Sequence, residues 1–208
     1  MALPINTSEA VEMAGAWVVE GTITDVVLIP LADLTTPRHS ISGTVVPAGG
    51  NGTLVIAEGG GRALSAVSDV EGRYTIFNVP AGAYEVRGYK ADLQLVPVDV
   101  DVAAADLVDV DLVASDAALH TVQGTIQLVN RGDGVATSVV LVVDSTFDEL
   151  FGRGEVPPGL RAPRTGPVSI DGAWSIAGVP DGRYVVLAGF ENDRLVRDPD
   201  ENIGGTAY

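Results

Sequence analysis

His39 and His120 are the residues of this 208-residue chain best suited to proton transfer or metal ligation. They stand in matching contexts, His39-Ser40-Ile41-Ser42-Gly43-Thr44-Val45 and His120-Thr121-Val122-Gln123-Gly124-Thr125-Ile126. Equivalent places in two copies of one unit put the imidazoles a module apart. A shared catalytic or metal site is therefore disfavoured against a capping or inter-module packing role just ahead of each first strand. Serine is common, but no Gly-x-Ser-x-Gly elbow occurs and no third histidine can complete a separate triad. Gly59-Gly60-Gly61 is the nearest thing to a phosphate-cradling loop. It lacks the following lysine and reads as a hairpin connection. With no cysteine there is no thiol chemistry, disulfide or cysteine-type zinc site. Catalytic and cofactor-binding residues are accordingly expected to be none.

The remaining metal chemistry is that of hard oxygen donors. Asp198-Pro199-Asp200-Glu201-Asn202 places Asp198, Asp200 and Glu201 in one predicted loop, a donor set that suits calcium, though without the EF-hand spacing. Asp99 and Asp101 share a strand face, and Asp109 and Asp111 share the next. Solvated acids are the plainer reading of both groups. The aromatics Trp17, Tyr74, Tyr84, Trp174 and Tyr184 recur at equivalent positions and read as core packing or tyrosine corners rather than a sugar-binding row. Asn6-Thr7-Ser8 and Asn51-Gly52-Thr53 match a short glycosylation pattern, but Asn51-Gly52 is better explained as a hairpin turn. A binding surface, if present, is expected at 146–166. This stretch sets Phe147, Leu150, Phe151, Arg153, Arg161 and Arg164 on an otherwise acidic body.

The elements that must carry these groups are strands. Valine is abundant, glycine and proline punctuate often, and long helix-forming runs are missing. The net charge is −16, from 28 acidic and 12 basic residues, which disfavours nucleic acid and anionic membrane surfaces as partners. Met1 to Ala10 has neither a basic nor an apolar segment of a secretion signal, so an exported protein with this start would be a mature form. No run approaches the length of an apolar membrane span.

A repeat organises the chain. Glu71-Gly72-Arg73-Tyr74-Thr75-Ile76-Phe77-Asn78-Val79-Pro80-Ala81-Gly82-Ala83-Tyr84 matches Asp171-Gly172-Ala173-Trp174-Ser175-Ile176-Ala177-Gly178-Val179-Pro180-Asp181-Gly182-Arg183-Tyr184. The histidine segments are offset by 81 positions and these by 100, so the second copy carries about 100 − 81 = 19 extra residues, which fall around 146–166, a stretch rich in Pro, Gly and Arg that reads as a long loop. A third, partial copy opens the chain: Ala14-Gly15-Ala16-Trp17 mirrors Ala81-Gly82-Ala83-Tyr84, and Asp25 to Pro30 mirrors Asp92 to Pro97. The expected divisions are 1–38 as the end of a preceding repeat plus linker, 39–117 as one sandwich module, and 118–208 as another that lacks its last strand.

Seven strands are predicted in the first full unit: Ser40–Val46, Thr53–Ala57, Ala63–Ser68, Tyr74–Val79, Ala83–Tyr89, Leu93–Val102 and Leu107–Ala114. Glu71-Gly72 supplies a hairpin turn between two of them, and Val79-Pro80-Ala81-Gly82 fits a type I turn. In Val98-Asp99-Val100-Asp101-Val102 the valines should face the core and the acids water, which also guards an edge against aggregation. The fold class is all-β, as tandem Ig-like or transthyretin-like seven-stranded sandwiches.

Gly-Thr-Val near the start, then acid-Gly-x-aromatic-x-Ile, then Val-Pro-x-Gly-x-Tyr resembles the carboxypeptidase regulatory-like domain, a transthyretin-like family close to the Cna-B-type surface repeats. The resemblance covers Ser40 to Ala114 well and Thr121 to about Val196 less fully, and it implies fold more than function. The Lys–Asn cross-link frequent in Cna-B-like modules is not expected. Lys90 is the sole lysine and does not stand on a first strand.

Together these features predict a non-enzymatic extracellular or cell-surface module, structural or adhesive, acting as stalk, spacer or filament subunit. Its partners would be proteins or copies of itself, joined by strand addition through Trp17, Val19, Val26 and Leu28. The alternative is a glycan- or calcium-binding accessory module of a larger exported enzyme or receptor. No cofactor is expected apart from calcium.

Overall fold

A computed structural model describes residues 11–19, 22–30, 38–46, 49–127, 135–163, 172–191 and 206–207. The described residues are strands joined by turns and one 3₁₀ turn, so the protein is all-β. Two compact units are present, Met1–Pro37 and Arg38–Tyr208. In the first, β1 (Val11–Val19) and β2 (Thr22–Pro30) form a two-stranded antiparallel sheet whose register shifts twice.

The second unit opens with seven strands: β3 (Arg38–Val46), β4 (Leu54–Gly59), β5 (Arg62–Val67), β6 (Arg73–Pro80), β7 (Gly82–Tyr89), β8 (Val98–Val102) and β9 (Leu112–Val113). One sheet has the order β6-β3-β9 and the other β5-β4-β7-β8. Ile41, Val45, Val55, Ala57, Tyr74, Ile76, Val79, Val86, Val102 and Leu112 fill the space between them. Alternation sets this core strand by strand. Along β8, for example, Val98, Val100 and Val102 turn inward while Asp99 and Asp101 are exposed.

The turns divide into two kinds. Gly60-Gly61, with φ of 57° and 73°, closes a two-residue hairpin in which Gly59 pairs with Arg62. Asn51-Gly52 and Glu71-Gly72 instead carry the chain from one sheet to the other, which corrects the hairpin expectation at both places. At the second of these arches the organising acid is Asp69 rather than Glu71. Its Oδ1 accepts from the N–H groups of Glu71 (2.9 Å) and Arg73 (2.8 Å). At the first, Lys90 Nζ donates to the carbonyls of Gly49 and Asn51, both at 2.6 Å.

The last two predicted strands are shorter than expected. Residues 90–95 make only isolated bridges, Lys90 to Leu93 and Leu95 to Ala114. Asp92 takes a positive φ of 65°, and its N–H donates to the Gly178 carbonyl of the second repeat, which draws the segment out of the ladder. Leu107 to Ala114 follows β3 in parallel, but Asp109 (φ 59°) breaks it so that only Leu112–Val113 forms a regular strand.

The second repeat contributes β10 (His120–Ile126), β11 (Val135–Val143), β12 (Arg161–Ala162), β13 (Gly172–Val179), β14 (Tyr184–Glu191) and β15 (Thr206–Ala207). The histidines thus begin or lie within first strands instead of preceding them. β10 pairs with β13, and the other sheet has the order β12-β11-β14-β15. Val139, Leu141, Leu160, Ala162, Ile176 and Val179 form its core. The stretch read as a plain loop is partly regular. A 3₁₀ turn (Asp144–Thr146) leads in, β12 pairs with β11, and Leu160 is fully buried.

Candidate functional site

β4 carries a continuous apolar run, Leu54-Val55-Ile56-Ala57, and is buried on both faces. Val55 and Ala57 enter their own sandwich core, whereas Leu54 and Ile56 join Tyr89 of β7 and Val143 of β11 in a separate cluster. That cluster is a junction between the repeats. The rings of Tyr89 and Tyr184 meet edge to face, 5.9 Å between centroids at 80°. Gly182 makes room for this contact, since a Cβ there would lie 2.8 Å from the Tyr89 ring.

Directed bonds close the junction. Ala91 N–H donates to Pro158 O (3.0 Å), Asp92 N–H to Gly178 O (2.8 Å), and Asp181 N–H to the Gln94 side-chain oxygen (2.7 Å). Ser145 Oγ donates to Glu58 Oε1 (2.8 Å) and Ser65 Oγ reaches Glu155 at 3.4 Å. Burial, with the Glu58 charge second, pushes the Tyr89 hydroxyl up, and burial with Tyr89 beside it does the same to Tyr184. Both phenols therefore stay neutral in the ordinary range.

Beside the junction lies a recess of about 340 Å³ lined by Glu58, Glu85, Arg87, Tyr89, Asp144 and Arg183. Its cations are already engaged. Arg87 donates to Glu85, which raises the guanidinium pKa further, and Arg183 Nε stands 3.4 Å from Asp144. Both hydroxyls of the recess, Ser145 and Tyr89, bond the Glu58 carboxylate rather than an imidazole. A second recess of about 440 Å³, sharing Ser145, runs along Phe147, Asp148 and Arg153.

The insertion also exposes apolar groups. Asp148 and Arg153 close a small hairpin, and Asp148 Oδ1 accepts from Leu150 and Phe151 N–H at 2.9 and 3.3 Å. Leu150 (84% exposed) and Phe151 (60%) stand at its tip, with the Arg153 guanidinium 4.9 Å from the Phe151 ring centre. Phe147 lines the second recess, while Arg161 lies on β12 apart from this tip. Arg164 lies outside the described residues, as do Asp198, Asp200 and Glu201. Trp17 and Val19 lie on β1, and Val26 and Leu28 on β2, with Trp17 opposite Asp25.

The histidines lie near different acids. His120 Nε2 lies 2.6 Å from Asp181 Oδ1, on the residue whose N–H crosses to Gln94. His39 Nδ1 stands 3.9 Å from Asp106. Among the described residues no three His, Cys, Asp or Glu side chains converge as metal ligands. Asp106 and Asp111 accept backbone N–H groups of Ser40 and Thr44, both at 2.8 Å, which ties the final segment to β3. Reading the sequence did not anticipate the junction residues Leu54, Ile56, Tyr89 and Val143. The uninterrupted Leu54–Ala57 run was the available signal, because a strand with one wet face alternates.

Among the described residues no helix is long and apolar enough to cross a membrane. No protein-family model matches the chain, and no curated protein matches it. Among solved structures the chain is similar to a DUF3823 family protein from Parabacteroides merdae at 14% identity, covering 69% of this chain and 81% of that one, with a TM-score of 0.31. It is also similar to the Bacillus anthracis TIE protein (10% identity, 82% of this chain and 30% of that one, TM-score 0.31) and to a streptococcal ancillary pilin (14%, 90% and 67%, TM-score 0.29).

Proposed function

We propose that the chain is a non-enzymatic β-sandwich module of a cell-surface or extracellular assembly, a stalk, spacer or filament subunit built from tandem transthyretin-like units. The observation that carries this reading is the junction. Leu54, Ile56, Tyr89 and Val143 pack together there, and backbone bonds from Ala91 and Asp92 bracket them. Two sandwiches joined by a desolvated cluster and directed bonds resist bending, which is what a spacer requires. The acidic surface keeps such a body dispersed.

Partners of this module are proteins or further copies of itself. The exposed Leu150–Phe151 tip, stiffened by Asp148, offers an adhesive contact. A glycan-binding role has less support. Tyr89, the ring that lines the junction recess, is turned edge to face against Tyr184 rather than displayed as a flat platform. Immunogold electron microscopy of native cells tests the reading. Label along surface appendages or in shed surface material is expected. Label confined to the cell interior, or a turnover activity in the pure chain, would contradict it.

A further inference from the structure

The first sandwich has one guarded edge and one bare one. Its larger sheet runs β5-β4-β7-β8, so β5 and β8 are the edge strands. β8 turns Asp99 and Asp101 to water, whereas Arg62-Ala63-Leu64-Ser65-Ala66-Val67 of β5 has no acid, lysine or proline. The tight hairpin pairs Gly59 with Arg62, and at the other end of the ladder Ser68 N–H donates to Thr53 O at 2.9 Å. Pairs that exchange hydrogen bonds alternate with pairs that do not, so Arg62, Leu64 and Ala66 bond to β4. The N–H and C=O groups of Ala63, Ser65 and Val67 therefore face the open edge, where no described backbone group meets them.

The two rows of side chains along that edge differ in chemistry. Leu64 and Ala66, half-buried, pack against the sandwich core. Ala63 and Ser65, on the other face, form one wall of the recess of about 440 Å³ whose second wall is the insertion. Asp148, Arg153 and Glu155 carry the charges of that wall, and Ser65 Oγ donates to Glu155 at 3.4 Å. Arg153 stands over the Phe151 ring. In the adjoining recess Arg87 and Arg183 are matched by Glu85 and Asp144, which leaves Glu58 over. Among the described residues Glu58, Asp148 and Glu155 form no ion pair, so the ground beside the β5 edge is anionic.

We propose that β5 takes an extended basic segment of a different protein as an added strand. Its backbone pairs with Ala63, Ser65 and Val67. Its side chains then fall into two rows, apolar ones continuing Leu64 and Ala66, and Lys or Arg ones facing Asp148 and Glu155 across the recess. A second copy does not suit this edge. The chain has a net charge of −16, and its sole lysine, Lys90, is engaged by the Gly49 and Asn51 carbonyls. Two β5 strands paired antiparallel would also set the Asp148 and Glu155 groups of both copies on one face. The inference rests on the structural reading above and names the partner's chemistry.

The probe is the peptide acetyl-Thr-Lys-Val-Lys-Val-Lys-Thr-amide, titrated by calorimetry into the full chain at low ionic strength. Saturable binding is expected, at least about tenfold weaker when glutamates replace the lysines. Two N-methylated peptides, one methylated at the valines and one at the lysines, separate strand pairing from bare charge attraction. One of them should lose binding and the other keep it, because alternate N–H groups face the pairing edge. Hydrogen exchange should slow at the Ala63, Ser65 and Val67 amides when the unmethylated peptide binds. Ser65→Pro removes an N–H that points away from β4, so this variant should fold and lose the peptide at least about tenfold. Should it unfold, the methylated peptides carry the test on the unmodified chain. No saturable binding, or binding that both methylated peptides retain, would overturn the proposal. Equal binding of the glutamate peptide would overturn the basic partner. Self-association of the chain that Ser65→Pro abolishes would overturn the choice of a different protein. None of these results alters surface labelling, which decides the structural reading separately.

Discussion

Tyr84 and Tyr184 each donate a hydroxyl hydrogen bond to the carbonyl four residues back, Pro80 and Pro180, both at 3.0 Å. The bond fastens the corner at which the chain leaves one sheet and enters the other. Tyr84→Phe or Tyr184→Phe keeps the ring and deletes the bond, so each should cost about 1 kcal/mol of stability, read from urea denaturation. A loss within error for both would show that the corner bonds do not hold the arch. Asp69 does similar work through its charge. The Arg73 N–H foremost, then the Glu71 N–H and the Arg73 guanidinium, hold its carboxyl below the ordinary value of 3.8. A carboxyl lowered in the folded state stabilises above its unfolded pKa, and that contribution is lost as pH falls through the folded pKa. Asp69→Asn should therefore flatten the acid limb of a stability-versus-pH profile below pH 3.8. An unchanged acid limb would contradict this. Both tyrosines were legible from Val-Pro-x-Gly-x-Tyr, whereas Asp69 was hidden because the acid adjoining Gly72 is the more conspicuous one.

At the scale of elements, strand positions were readable because alternation and turn residues are local signals. Val98-Asp99-Val100-Asp101-Val102 shows inward valines and outward acids along its length. Which sheet each strand joins was not readable. Glu71-Gly72 has the chemistry of a tight turn, but the same chemistry serves a hairpin or an arch, and only packing decides. The same limit applies at residues 90–95, which long-range bonds to the second repeat pull out of their ladder. β4 makes a quantitative case. Ile56 is fully buried on the junction face, so Ile56→Ala should cost about 2–5 kcal/mol. Val67 on edge strand β5 is 61% exposed, so Val67→Ala should change stability by about 0.5 kcal/mol or less. Equal losses at the two sites in urea denaturation would mean that the outer face of β4 is not covered.

For the whole molecule, the repeat was visible from two motif pairs, while its joint was not. A junction depends on which side chains two separate surfaces bring together, and Leu54, Tyr89, Val143 and Tyr184 share no spacing that announces a contact. The insertion at 146–166 stood out because it breaks the repeat. Its Leu150–Phe151 tip is where the sequence placed apolar groups on an acidic body. The proposed spacer role requires that the two repeats move as one piece. Native-state hydrogen exchange at the amides of Ala91, Asp92 and Asp181, whose bonds cross the junction, measures that directly. Exchange of all three only through global unfolding, at the same free energy as buried core amides such as Val55 and Leu141, is the predicted result. Fast local exchange at these three while the two cores stay protected would mean a hinge, and would contradict the rigid junction.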